Sequence, residues 1–148
     1  IYEASEDITP FLTWCHRKGI VTGIISNCDE RYIDGVLPML NITDDLDFLV
    51  YSKKEGYEKP HPMIFEAALN KARQLHGLEN LQPHQILHVG DNLKKDYHGA
   101  KEQGFEAVLM DRYSDLDLEI MKGKGIPVVR DFLDVVEYVT LRSRDFRS

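Results

Sequence analysis

Short apolar runs rich in β-branched residues alternate along this chain with segments of helical periodicity, and this alternation constrains the fold more than any other feature. Extended runs are read at 20–25, 47–51, 86–89, 107–110 and 128–129. Ahead of the first, Phe11, Leu12, Trp14 and Cys15 recur at helical spacing as a core-facing stripe and stop at Gly19, with Pro10 compatible only near the first turn. A second helix is expected from Asp29 to about residue 40, kinked or ended by Pro38. A third starts with Pro62 at N1 and carries Ile64, Phe65, Ala68, Leu69 and Ala72 as its apolar stripe. A fourth covers about 94–103 and closes at Gly104; a last one runs from 131 to about 141. Such alternation implies right-handed crossovers onto a parallel sheet covered on both faces, a three-layer α/β architecture. Ligands of open sheets bind beyond the carboxyl ends of the strands, so the chemistry is sought just after strands.

Composition narrows the partners. Of 148 residues, 18 are Lys or Arg and 25 are Asp or Glu, a net charge of −7 that argues against a nucleic-acid ligand. No run approaches the ~18 apolar residues of a membrane span. Cys15 and Cys28 are too few for a disulfide framework and suit a reducing, cytoplasmic compartment. There is no repeat, linker or low-complexity tract, so 1–148 reads as one unit. The opening Ile1-Tyr2-Glu3 has no initiator Met and resembles no signal or transit peptide; it reads as a piece of something longer.

Two polar clusters directly follow expected strands: Ser26-Asn27, and Gly90-Asp91-Asn92 with Asp96 five residues after Asp91. A third, Glu58-Lys59-Pro60-His61-Pro62, opens a helix. Each alone has an ordinary role, as a capping loop, a turn with an N-cap, or a solvated charge. Together they offer more. A hydroxyl and nearby amides can hold a phosphoryl oxygen, and an ammonium offsets charge on a phosphate or an anionic nucleophile. One or two carboxylates can hold Mg2+, which takes oxygen ligands and keeps several waters.

This order and spacing resembles the haloacid dehalogenase (HAD) superfamily of hydrolases. Ile24-Ile25-Ser26-Asn27 resembles its second motif, Lys59 within Lys59-Pro60-His61-Pro62-Met63-Ile64-Phe65 its third, and the run from His88 through Gly90-Asp91-Asn92 to Asp96 its fourth. The nearest likeness is to the group of HAD-like hydrolase domain-containing protein 3 and the rhythmically expressed gene 2 protein. The resemblance implies a Rossmann-like, HAD-type parallel sheet, with 1–148 forming a partial core that carries motifs two to four. It also implies Mg2+-dependent hydrolysis of a small phosphorylated metabolite. Ser26 would then bind the transferring phosphoryl group with Asn27 beside it, and Lys59 would balance charge on nucleophile and phosphoryl group. Asp91 would ligate Mg2+, Asp96 would support the metal site or orient Lys59, and Gly90 and Asn92 would be secondary. Metal-free dehalogenases of the superfamily tend to carry serine at the place of Asp91, so the acid favours the phosphatases. His61 stands where the family usually has aspartate and is expected to weaken a helix N-cap by roughly 0.5–1 kcal/mol.

The superfamily's first motif, an Asp-x-Asp-x-Thr-like segment after a strand, supplies the nucleophile and the general acid/base. Neither Asp45-Leu46-Asp47 nor Asp115-Leu116-Asp117 fits it, and both read as solvated turns. The motif is therefore expected upstream of Ile1, and the chain alone is expected to be inactive. The strand that bears it is central in the family's sheet, between the 20–25 and 86–89 strands. Its absence predicts two rows of unpaired backbone groups and a slot in the core, unless another segment or chain supplies the strand. Only 32 residues separate Ser26 from Lys59, too few for a large substrate-selecting cap. The alternative to an enzyme is a non-catalytic binding or regulatory protein that retains the fold.

Smaller features have plainer readings. His84 and His88 at a strand entry lie roughly 13 Å apart, too far for shared zinc ligation. Cys28 lacks an evident base partner and reads as a loop thiol. Residues 142–148 read as a frayed tail.

Overall fold

The computed structural model describes residues 6–27 and 45–145. The expected helix from Asp29 and the thiol of Cys28 lie outside the described residues.

Helix α1 (Ile8–Arg17) holds Pro10 in its first turn, buries Leu12 and Cys15, and is followed by Gly19 at φ 73°, a left-handed conformation that glycine adopts without steric cost. Asp7 precedes α1 but does not cap it. Its carboxylate accepts the Phe132 backbone N–H at 2.7 Å and pairs with Arg112 at 3.1 Å, which ties the start of α1 to the C-terminal half of the chain. Phe11 adds a ring stack on Phe132 with centroids 4.7 Å apart.

Strand β1 (Gly23–Ser26) pairs in parallel with β2 (Phe48–Tyr51), Gly23 opposite Phe48 and Ser26 opposite Tyr51. The Asp45-Leu46-Asp47 turn does structural work: the Asp47 carboxylate accepts the Thr22 backbone N–H at 2.8 Å at the mouth of this pair. A single turn, α2 (Ser52–Glu55), leads to α3 (Pro62–Arg73), whose buried residues are Ile64, Phe65, Ala68, Leu69 and Ala72, the stripe expected from the sequence. Position 61 is the cap of α3, as the family pattern implies. His61 is itself the N-cap, its Nδ1 accepting the Met63 N–H at 3.1 Å.

A 3-10 turn (Pro83–Gln85) precedes β3 (Leu87–Gly90). The helix after it begins as a π-helical segment (Leu93–His98) and continues as α4 (Gly99–Glu102). Then come β4 (Glu106–Met110), α5 (Leu118–Gly123), β5 (Val128–Val129) and α6 (Phe132–Asp145). The elements absent from the sequence reading, α2, α5 and the 3-10 turn, are too short for periodicity to register. Asp117 caps α5 by accepting from Glu119 and Ile120 N–H groups. Residues 142–145 continue α6 instead of fraying, and Arg142 reaches Glu106 at 3.2 Å.

Among the described residues the strands form two parallel sheets, β1–β2 and β3–β4–β5. One apolar cluster joins α3 to β4 and α4 through Phe65, Ala68, Leu109 and Ala100; a second joins β4 and β5 to α6 through Val108, Val129 and Val135. Burial divides the strands sharply. Four of the five residues of β4 are buried, whereas no residue of β1 or β3 is, and Ile20 and Val21 are each 36% exposed. The 20–25 run, apolar enough for a strand covered on both faces, thus lies half in the open. The reason is lateral: among the described residues β1 has a neighbour only on the β2 side, and β3 only on the β4 side. A cavity of about 730 Å³ separates them, lined by both strands and by α1, α3 and α6. It is the slot expected between 20–25 and 86–89.

Candidate active site

Ser26 and Asn27 end β1, Gly90 and Asp91 end β3, and Lys59 approaches the start of α3, so the three clusters meet at the carboxyl ends of the parallel strands. Hydrogen bonds join them across the slot. The Asn27 side chain accepts the Lys59 backbone N–H at 2.8 Å and donates Nδ2–H to the Lys59 carbonyl at 3.2 Å. The Lys59 ammonium in turn lies 2.6 Å from Asp96 Oδ1, with both side chains largely buried.

Asp96 is the hub. Its Oδ1 also lies 3.0 Å from His88 Nε2, and its Oδ2 accepts the Asn92 backbone N–H at 3.1 Å. Burial pushes this carboxyl up, but hydrogen bonds from His88 and Lys59 and the Lys59 charge outweigh it and hold the group far below the ordinary carboxylate range. The carboxylate comes this close to β3 because residue 90 is glycine: a Cβ there would overlap the Asp96 side chain. Asn92 caps the helix that carries Asp96, its side chain accepting the Lys95 N–H at 2.8 Å.

His88 is the site residue that sequence reading passed over. It shares a strand face with Gly90 through the two-residue period, which aims both at Asp96, and its ring stands edge-on to Phe65 at 5.6 Å. That i, i+2 relation was the available signal. His84, by contrast, lies exposed in the 3-10 turn.

The arrangement supplies a fixed ammonium, the Ser26 hydroxyl at a strand end, and an exposed carboxylate, Asp91, with no hydrogen bond or ion pair among the described residues. Its fit to Mg2+ is limited. Among the described residues no three His, Cys, Asp or Glu side chains gather around one point, and the Asp96 oxygens are already engaged. Asp91 offers one carboxylate, the least a Mg2+ site takes from protein, with waters and substrate oxygens completing it.

Parallel α/β proteins bind their ligands beyond the carboxyl ends of the strands, and at that edge this chain carries a lysine pinned by a carboxylate. The particular family follows from comparison with known proteins. The chain belongs to the haloacid dehalogenase-like hydrolase family, whose profile matches residues 2–104. It is 33% identical over 131 residues to haloacid dehalogenase-like hydrolase domain-containing protein 3 of Homo sapiens, covering 88% of this chain and 44% of that protein. It is also 33% identical over 105 residues to the glyceraldehyde 3-phosphate phosphatase of Pyrococcus furiosus, covering 70% and 41%. The crystal structure of a HAD phosphatase from Thermococcus onnurineus superposes with a TM-score of 0.77 at 22% identity, covering 92% of this chain and 58% of that one. The chain therefore spans less than half the length of these curated relatives. No helix among the described residues is long and apolar enough to cross a membrane.

Proposed function

We propose that this chain supplies motifs two to four of a Mg2+-dependent HAD-type phosphatase that hydrolyses a small phosphorylated metabolite in the cytoplasm. The observation that carries the reading is the Lys59–Asp96 contact at 2.6 Å, a buried and oriented ammonium at the strand ends. A free lysine would wander; this one is held at one end by Asp96 and at its backbone by Asn27. That a relative is named glyceraldehyde 3-phosphate phosphatase is consistent with that charge placement.

In this reading Ser26 donates its hydroxyl to a phosphoryl oxygen and Lys59 offsets the charge gathered at the transferring group. Asp91 is the carboxylate offered to Mg2+, which when bound supplies further charge compensation. Asp96 acts through Lys59. The nucleophilic aspartate belongs to a segment outside these residues, so the 148-residue chain alone carries out no turnover. The net charge of −7 disfavours a phosphorylated substrate at long range, which leaves recognition to local groups at the strand ends.

The test is Mg2+-dependent hydrolysis of an aryl phosphate by the 148-residue chain and by a chain extended upstream. The expected result is no turnover by the first and turnover by the second, abolished by Lys59→Ala and by Asp91→Asn. Activity of the short chain that disappears with Asp91→Asn would place the nucleophile inside it and overturn the reading. An inactive longer chain that still binds phosphate would favour the non-catalytic alternative.

A further inference from the structure

One oxygen of Asp96, Oδ1, meets two donors, Lys59 Nζ at 2.6 Å and His88 Nε2 at 3.0 Å, while Oδ2 takes the Asn92 N–H at 3.1 Å. A carboxylate oxygen has two in-plane lone pairs, roughly 120° apart. With His88 on one of them, only the other is left to Lys59. Were both open, the ammonium could sit at either of two places roughly 4.5 Å apart for a contact of 2.6 Å. A misplacement of ~1 Å already costs about 10²-fold where geometry governs a reaction. Occupation of the second lone pair therefore gives Lys59 a single position.

The imidazole is itself held from the core. Phe65, fully buried, meets the His88 ring edge-on at 5.6 Å and the Phe105 ring edge-on at 5.8 Å. Gly99 lets Phe65 and Pro60 share one side of the helix after β3, since a Cβ there would lie 3.0 Å from each. The His88 and Asp96 side chains are only 11% and 6% exposed, so water competes poorly for the lone pair. The place of the proton follows. Asp96 stays ionised far below neutral pH, so its oxygens only accept, and His88 donates through Nε2–H. Nδ1 makes no hydrogen bond among the described residues, which leaves Asp96 to select the tautomer.

We propose that His88 is a positioning residue for Lys59: by donating Nε2–H to Asp96 Oδ1 it closes one lone pair and confines the ammonium to the other. It acts through Asp96 and touches no substrate. Its ring carries the rigidity of the Phe65–Phe105 core to a charged group at the strand ends. The proposal rests on the reading of Lys59 as the cation that meets the phosphoryl group, but it is tested without turnover, so the two fail separately.

The test uses the 148-residue chain with 15N-labelled histidine. At pH 7 its long-range 1H–15N spectrum should place the His88 proton on Nε2. Lys59 should react with acetic anhydride about tenfold more slowly than the exposed Lys94 and Lys95, read by mass spectrometry. Three variants then separate the donor from the ring. His88→Leu keeps apolar bulk without a donor, His88→Gln carries an amide N–H to the place of Nε2, and His88→Asn carries the same amide but falls short of Oδ1. Leu and Asn should each speed Lys59 acetylation about fivefold relative to Lys94 and Lys95, and Gln should hold it within about twofold of the parent. Urea unfolding accompanies the labelling, because Gln gives up the ring contact with Phe65 and loses stability while Lys59 stays slow. A bare Nε2 in the parent spectrum would overturn the proposal. So would Lys59 labelling unchanged by both Leu and Asn, or labelling as fast in Gln as in Asn, which would leave His88 a packing role only. Should His88→Leu not fold, the Asn and Gln pair, equal in chemistry and different in reach, decides together with the parent spectrum.

Discussion

Asn27 and Lys59, 32 residues apart, are joined by a ring of two hydrogen bonds in which the side-chain amide of one pairs with both backbone groups of the other. This relationship assigns Asn27 less to a phosphate than to the lysine: one amide N–H remains for any ligand, while the carbonyl oxygen and the other N–H hold the loop. Asn27→Ala is expected to cost about 1–3 kcal/mol, the net worth of two part-buried hydrogen bonds, in urea unfolding. It should also raise the acetylation rate of the Lys59 amine several-fold relative to exposed lysines, read by mass spectrometry. Unchanged labelling would show that Asp96 alone fixes the ammonium.

Asp96→Asn leaves Lys59 and His88 facing a neutral amide. Breaking a buried pair in this way is expected to cost about 3–5 kcal/mol at pH 7. The folded carboxyl titrates far below its ordinary 3.8, so its contribution is complete above that value and is lost as pH falls toward the folded pKa. The stability gap between the parent chain and Asp96→Asn should therefore narrow when denaturation is repeated at pH 3. A gap independent of pH would contradict the assigned charge state.

Gly90→Ala places a methyl group where the Asp96 side chain lies. The carboxylate must move off β3, and a loss of about 1–3 kcal/mol is expected. Combined with Asp96→Ala, which removes the clash, the glycine substitution should cost far less than alone. A double-mutant cycle measures the coupling.

The His61 cap predicts that His61→Ala destabilises by about 1 kcal/mol, while His61→Asp retains or improves stability. Thermal unfolding of the two variants separates capping from any role of the imidazole stacked on Tyr57.

Much of the local structure was legible because it rests on short-range rules. The α3 stripe follows from 3.6-residue periodicity, Pro62 marks its first turn, and Gly19 and Gly104 end helices at positive φ. The motif residues Ser26, Lys59 and Asp91 were readable as well, because their order along the chain, Ser26 and Asp91 at strand ends and Lys59 ahead of a helix, survives without any knowledge of contacts. Short elements were not readable: α2 and α5 hold four and six residues, too few to show a period.

The sequence by itself determined the alternation of strands and helices, the polar clusters at strand ends, and the lack of an Asp-x-Asp segment in a suitable place. The tertiary structure alone decided who holds whom. Asn27 turns to the Lys59 backbone, and Asp96 gathers Lys59, His88 and the Asn92 amide on one carboxylate. It also decided that the apolar 20–25 run would lie half exposed beside an open slot. Apolar pattern records which faces a strand can bury; whether its edges are paired depends on neighbours far away in the chain, and that information is carried only by the folded arrangement.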